Sequence, residues 1–132
     1  MTDVNGSTGG DLHLVAEEFG RLVAIHFSEF EPGWVESVHF DFEAGYLRVD
    51  VNGDNDTVKW KIGPRRGATP GEAPDSLREL LSQEVRWIWL MTNHRGFTDG
   101  FQIEFRDEPS TNVQLMAEAS RLWIYKLTAL DS

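Results

Sequence analysis

Residues 21–62 read RLVAIHFSEF EPGWVESVHF DFEAGYLRVD VNGDNDTVKW KI, with apolar side chains recurring at every second position. A period of two places successive side chains on opposite faces of a strand. Pairing Ile25 with Phe40 makes Val23 meet Phe42 and Phe27 meet Val38, all on one face. A turn at Ala44-Gly45 then pairs Phe42 with Leu47, Phe40 with Val49 and Val38 with Val51. A further turn at Asp54-Asn55 pairs Val51 with Val58, Val49 with Trp60 and Leu47 with Ile62. The three registers agree on the buried face, which predicts a four-stranded antiparallel meander. On the opposite face they set Asp41 against Arg48 and Asp50 against Lys59, cross-strand ion pairs worth only tenths of a kcal/mol each. Glu29 and Glu36 fall opposite each other on the apolar side. Pairing is therefore expected to end before them, with the loop Glu29–Glu36 opening outward.

Working outward, Asp11 to Phe19 places Leu12, Val15, Ala16 and Phe19 on one helical stripe behind Asp11 as a cap, although Leu12 and Leu14 also allow a short strand. Met1 to Gly10 is polar and glycine-rich and reads as a flexible tail, with neither the basic start nor the apolar stretch of a secretory signal. Residues 63–74 hold six Gly or Pro, the mark of a connecting loop. Ser76 and Glu79 form a capping box for a short helix over 75–84 carrying Leu77, Leu80 and Leu81. Alternation resumes with Val85, Trp87, Trp89 and Met91, then Phe101, Ile103 and Phe105, then Val113, Leu115 and Ala117. Ile88 and Leu90 fill the other face of the first of these strands, which predicts a central strand covered on both sides. Residues 112–130 fit a helix as well as two strands; the aromatic, β-branched run 122–127 favours strands, with a turn near Ala119-Ser120. The expected fold is α+β and β-rich: two antiparallel meanders of seven to eight strands in all, with one or two short helices. The domain expected is a single globular one over 11–132, with meanders at 21–62 and 85–128.

The segment Trp89-Leu90-Met91-Thr92-Asn93-His94-Arg95-Gly96-Phe97-Thr98-Asp99-Gly100-Phe101, with Ala117-Glu118-Ala119-Ser120 after it, resembles a family of small bacterial domains of unknown function. The resemblance implies a β-rich α+β fold and no activity, cofactor or catalytic residue.

The chain has 132 residues, 15 of them aromatic, no cysteine and a net charge of −10. That apolar content suits a globular domain, and the absence of cysteine excludes a disulfide scaffold, thiolate-bound zinc and a thiol nucleophile. No apolar run approaches the roughly 18–20 residues that span a bilayer. The acids concentrate in residues 1–62, where 12 acids face 4 bases. Such a field repels phosphate backbones and anionic lipids, so neither nucleic acid nor membrane is expected as a partner. A cytoplasmic protein docking a basic protein surface fits best, and the same charge also serves solubility.

Four constellations could carry function. The register sets His26 opposite His39 and His39 opposite Asp50, a two-histidine, one-carboxylate row able to hold a divalent metal and activate water for hydrolysis. Asp50 to Asp56 is rich in Asp and Asn, yet Asn55 and Lys61 stand where a calcium loop needs glycine and glutamate, so it reads as a turn. The loop Thr92–Gly100 offers His94 and Asp99 as a base and its orienter, and Arg95 for an anion, but no nucleophile. Last, Glu29, Phe30, Glu31, Trp34, Val35 and Glu36 set aromatics among carboxylates at a hairpin tip, with Phe30 and Val35 expected on the polar face. Aromatics anchor and acids steer a basic partner. Trp60, Trp87 and Trp89 fall on apolar faces and read as core. The favoured function is a non-enzymatic, acidic protein-binding module, in its most concrete form of inhibitor or immunity type, with no cofactor. A metal-dependent hydrolase using His26, His39 and Asp50 is one alternative. The other is a small-ligand carrier built around Trp87, Trp89 and Phe101. The sequence sets no oligomeric state.

Overall fold

The computed structural model describes residues 4–5, 9–65, 67, 69–107 and 110–128. A 3-10 turn at Gly9–Leu12 leads into a short helix, α1 (His13–Glu17). The first sheet holds β1 (Val4–Asn5), β2 (Leu22–Glu31), β3 (Trp34–Phe42), β4 (Tyr46–Asn52) and β5 (Thr57–Gly63), in the order β1-β5-β4-β3-β2. A second 3-10 turn, Asp75–Leu80, precedes β6 (Val85–Thr92), β7 (Thr98–Phe105), β8 (Thr111–Glu118) and β9 (Arg121–Thr128), which follow in sequence order. The two antiparallel meanders expected from alternation are both present. Val4–Asn5, expected within a flexible tail, pairs with β5 through Ile62 and Lys61; the rest of residues 1–8 lies outside the described residues.

The inner faces of the two sheets share one apolar layer. Val38, Phe40, Leu47, Val49 and Ile62 meet Phe101, Ile103, Phe105, Val113 and Leu115, all buried. Trp60 of β5 packs on Phe101 of β7, with ring centroids 5.8 Å apart. Leu12, Val15 and Phe19 from the α1 region and Leu77 and Leu80 from the second 3-10 turn close the ends of this layer.

The pairing of β2 with β3 matches the alternation at Ile25–Phe40 and Phe27–Val38, and that of β4 with β5 matches throughout. Between β3 and β4 the register slips by two residues. Phe40 pairs with Leu47, Val38 with Val49, and Asp41 with Tyr46. An even slip keeps every side chain on its face, so the core survives while the polar neighbours change. The cause is the chain before β2. Ala44 N–H donates to Phe19 O at 2.9 Å, Glu43 N–H to Arg21 O at 3.0 Å, and Arg21 N–H to Glu43 Oε1 at 2.8 Å. These bonds seat the corner at Glu43-Ala44, where Phe42 N–H donates to Gly45 O at 2.8 Å, one residue earlier than a turn at Ala44-Gly45.

Gly45 lies against the buried Phe19 ring, where a Cβ would come within 2.6 Å of Cζ. Gly45→Ala is therefore expected to cost about 1–3 kcal/mol, as overpacking of a filled core does. A fall in the urea midpoint at unchanged slope is the readout.

Four further expectations are corrected. Glu29 does not oppose Glu36: a bulge sets Glu29 against Val35, and pairing runs on to Glu31–Trp34. The like-charge clash is thus avoided by inserting a residue rather than by ending the strands. Neither helix carries the expected cap, since α1 begins from Leu12 and the 75–80 turn from Pro74, both without a side-chain cap bond. The second is a 3-10 turn, not a helix over 75–84. Leu77 and Leu80 share its face at three-residue spacing, and the chain is then drawn into bonds between Ser82, Gln83 and Leu22. Finally, β6 is an edge strand paired with β7, not a central one. Residues 112–127 form two strands, as the aromatic run favoured. Their hairpin turns on Ala119 and Ser120, both at positive φ.

Candidate functional site

The outer face of the first sheet carries the residues proposed for a metal. His26 does face His39, but the slipped register puts Arg48 opposite His39 and Ser37 opposite Asp50. Asp50 is already engaged, with Ser37 Oγ donating to Oδ1 and Arg48 Nε to Oδ2 at 3.1 Å. His26 Nδ1 lies 3.6 Å from Glu72, and His39 Nε2 lies 3.4 Å from the buried Asp41 while its ring stacks on Tyr46. The expected row His26–His39–Asp50 is thus not assembled. Among the described residues no group of three or more His, Asp or Glu side chains is placed to hold a metal ion.

The two polar turns serve the backbone. Asn52 Oδ1 accepts from Asp54 N–H and Asn55 Oδ1 from the Thr57 hydroxyl, while Asp56 Oδ1 accepts from Ser120 N–H at 2.8 Å. In the loop after β6, Asn93 Oδ1 accepts from the N–H groups of Arg95 and Phe97, and its Nδ2 donates to Asp99. Asp99 therefore braces a turn, and His94 stands exposed beside it.

The β2–β3 hairpin tip is built differently. Pro32 and Gly33 make the corner, with Gly33 at φ 85° and its N–H donating to Glu29 Oε2 at 2.7 Å; a type II turn needs positive φ at that position. Phe30 is 71% exposed. Its ring centroid lies 6.2 Å from that of Trp34 in an edge-to-face contact. Trp34 in turn donates its indole N–H to Ser120 O at 3.2 Å. The Arg121 guanidinium sits 5.3 Å from the Trp34 ring centre and 3.9 Å from that of Trp123. Ser120 is itself pinned by Asp56 and by Gly53 O, which accepts from its hydroxyl at 3.1 Å. The result is a ridge, Phe30–Trp34–Arg121–Trp123, tied to both sheets and flanked by the exposed Glu29, Glu31 and Glu36. A cleft of about 510 Å³ opens at its foot, lined in part by Phe30, Trp34, Glu36, Arg48, Asp50 and Lys59. Val35 does not belong to this surface. The bulge at Glu29 turns it into the core, where it is 7% exposed.

A second exposed surface was not foreseen. Trp87 and Trp89 are 59% and 41% exposed, whereas Trp60 is buried as expected. Pairing puts Trp87 beside Glu104 and Trp89 beside Gln102, and across β8 these rows continue to Leu127 and Tyr125. The outer face of the second sheet therefore has aromatic margins and a floor of Gln102, Asn112 and Gln114 joined by amide hydrogen bonds of 3.1 and 3.2 Å. The signal for it was available: the alternates of Phe101, Ile103, Val113 and Leu115 are polar, so the face they share with Trp87 and Trp89 is open. Phe101 points to the opposite, buried side, which removes the carrier site drawn among Trp87, Trp89 and Phe101.

Comparison with known proteins places the chain in a family. The family model matches residues 11–131. The chain belongs to a family of unknown function, DUF6334. Among curated proteins it is similar to uricase-2 isozyme 1 of Glycine max, 26% identical over 121 residues, covering 90% of this chain and 39% of the relative. It is also similar to wall-associated receptor kinase-like 14 of Arabidopsis thaliana, 32% identical over 94 residues, covering 59% of this chain and 13% of that protein. The chain thus spans less than half the length of either relative. No solved structure matches it. No helix among the described residues is long and apolar enough to cross a membrane.

Proposed function

We propose that the protein is a non-enzymatic, acidic protein-binding module that docks a basic partner through the Phe30–Trp34 ridge. The supporting observation is a largely exposed phenylalanine beside a tryptophan fixed by Ser120 and Arg121, ringed by three exposed carboxylates. Anchors held rigid before binding lose little side-chain freedom on docking. The cleft at the foot of the ridge carries Arg48 and Lys59 beside Glu36 and Asp50, so the acids that meet a basic partner are those of the hairpin tip. An inhibitor or immunity-type role is the most concrete form of this reading, since it needs only a stable acidic fold matched to a basic target. A cytoplasmic setting is part of this proposal.

Charge should act mainly on encounter. Glu29→Lys/Glu31→Lys/Glu36→Lys is expected to slow association by about tenfold or more at low salt and to flatten its salt dependence, with a smaller effect on dissociation. Surface plasmon resonance against the purified partner at two salt concentrations measures both. Association rates unaffected by the reversal would remove the acids from the reading.

A further inference from the structure

A different surface, the free edge of β6, suits a second copy of this chain. We infer that the protein forms a two-fold dimer by antiparallel pairing of β6 with β6 of the partner subunit, joining the two second sheets into one of eight strands. The proposal is independent of the ridge.

Three observations support it. First, β6 is an eight-residue edge strand with large apolar side chains on both sides: Trp87 and Trp89 outward, Ile88 and Leu90 on the inner side. Such an edge is a template for further pairing, and proteins usually blunt it with charges or proline; β6 carries only Arg86. Second, in a chain of net −10 this strand contains no acid and a single base, so like-charge repulsion between two copies is small along it. Third, the strand is self-complementary. A two-fold axis at Ile88 sets Ile88 against Ile88 of the partner subunit and Trp87 against Trp89 of the partner subunit. It sets Arg86 against Leu90 of the partner subunit, so no like charges are opposed. Directly opposed residues bring Cβ atoms to about 4.5–5.5 Å, within aromatic contact.

Beside the strand, α1 and β6 enclose a cleft of about 670 Å³, where Leu12, Ala16, Ile88 and Leu90 are joined by Glu17 and Arg106. Trp87 and Trp89 together expose about one whole tryptophan side chain, on the order of 150–250 Å² per copy. That falls short of the roughly 800 Å² per partner of a standard interface, so the pairing is a weak one held mainly by main-chain hydrogen bonds. A dissociation constant on the order of micromolar is expected.

The chain's lack of cysteine makes the test clean. Opposed residues in an antiparallel pair have Cα atoms about 4.5–5.5 Å apart, within the span a disulfide bridges. The thiol introduced by Ile88→Cys should therefore give a disulfide-linked dimer under mild oxidation, whereas that from Ser28→Cys, on the first sheet, should not. Sedimentation velocity of the unmodified chain from about 1 to 500 µM should show a monomer–dimer equilibrium, weakened at least about tenfold by Trp89→Lys, whose side chain is already at the surface. A chain that stays monomeric over that range, or a dimer that Trp89→Lys leaves intact, would overturn the proposal. Crosslinking of Ser28→Cys as efficient as that of Ile88→Cys would do the same.

Discussion

Trp60→Ala is expected to remove about 3–5 kcal/mol of stability, the usual cost of deleting a buried aromatic ring. Trp60 reaches across from the first sheet to Phe101 in the second and is 8% exposed, so its loss opens a hole between the layers. A chain of this size holds only about 5–15 kcal/mol in total, so the variant should sit near the edge of folding at room temperature. Trp60→Phe should cost clearly less. It keeps a ring against Phe101, and it removes an indole N–H that is buried without a hydrogen-bond partner, a group that is costly to leave unpaired. Urea titrations of the three proteins followed by circular dichroism give the comparison. Equal losses for the two variants would mean that the contact with Phe101 is not what stabilises the layer.

The other large effect concerns binding. Phe30→Ala/Trp34→Ala should weaken the partner complex by at least about 100-fold, since buried aromatic anchors each contribute 2 kcal/mol or more at interface centres. The two rings differ in what else they do. Phe30 is mostly in solvent, so Phe30→Ala should change stability by no more than about 0.5 kcal/mol. Trp34 makes a hydrogen bond to Ser120 and a cation–π contact with Arg121, so Trp34→Ala should also cost about 1–2 kcal/mol of folding free energy. Calorimetric titration against the purified partner, beside thermal melts of each variant, separates the binding loss from the folding loss.

How much of this was legible depended on how far a contact lay along the chain. The β4–β5 pairing and the middle of the β2–β3 pairing were read correctly, as in Val49–Trp60 and Ile25–Phe40, because alternation acts on neighbouring residues. The β3–β4 slip was not, because it is imposed by Phe19 and Arg21, which lie outside the two strands. That slip had a direct functional consequence, since it moved Asp50 from His39 to Ser37 and dispersed the metal row. The hairpin tip was read in part: Phe30 and the three glutamates are exposed, while the bulge at Glu29 buried Val35. Trp34 was placed at the turn, but its partners Ser120 and Arg121 are 86 or more residues away and carry no local signal. Trp87 and Trp89 were misread because alternation identifies a face without saying whether anything covers it. Only the polar residues beside them, Gln102 and Glu104, distinguish an open face from a core.

The most direct test compares what the intact chain and Phe30→Ala/Trp34→Ala capture from the same extract at low salt, with captured proteins identified by mass spectrometry and then purified for titration. A protein with a basic surface that binds the intact chain in both formats and is lost with the double variant is the predicted result. A specific partner held equally well by the double variant would contradict the ridge as the docking surface.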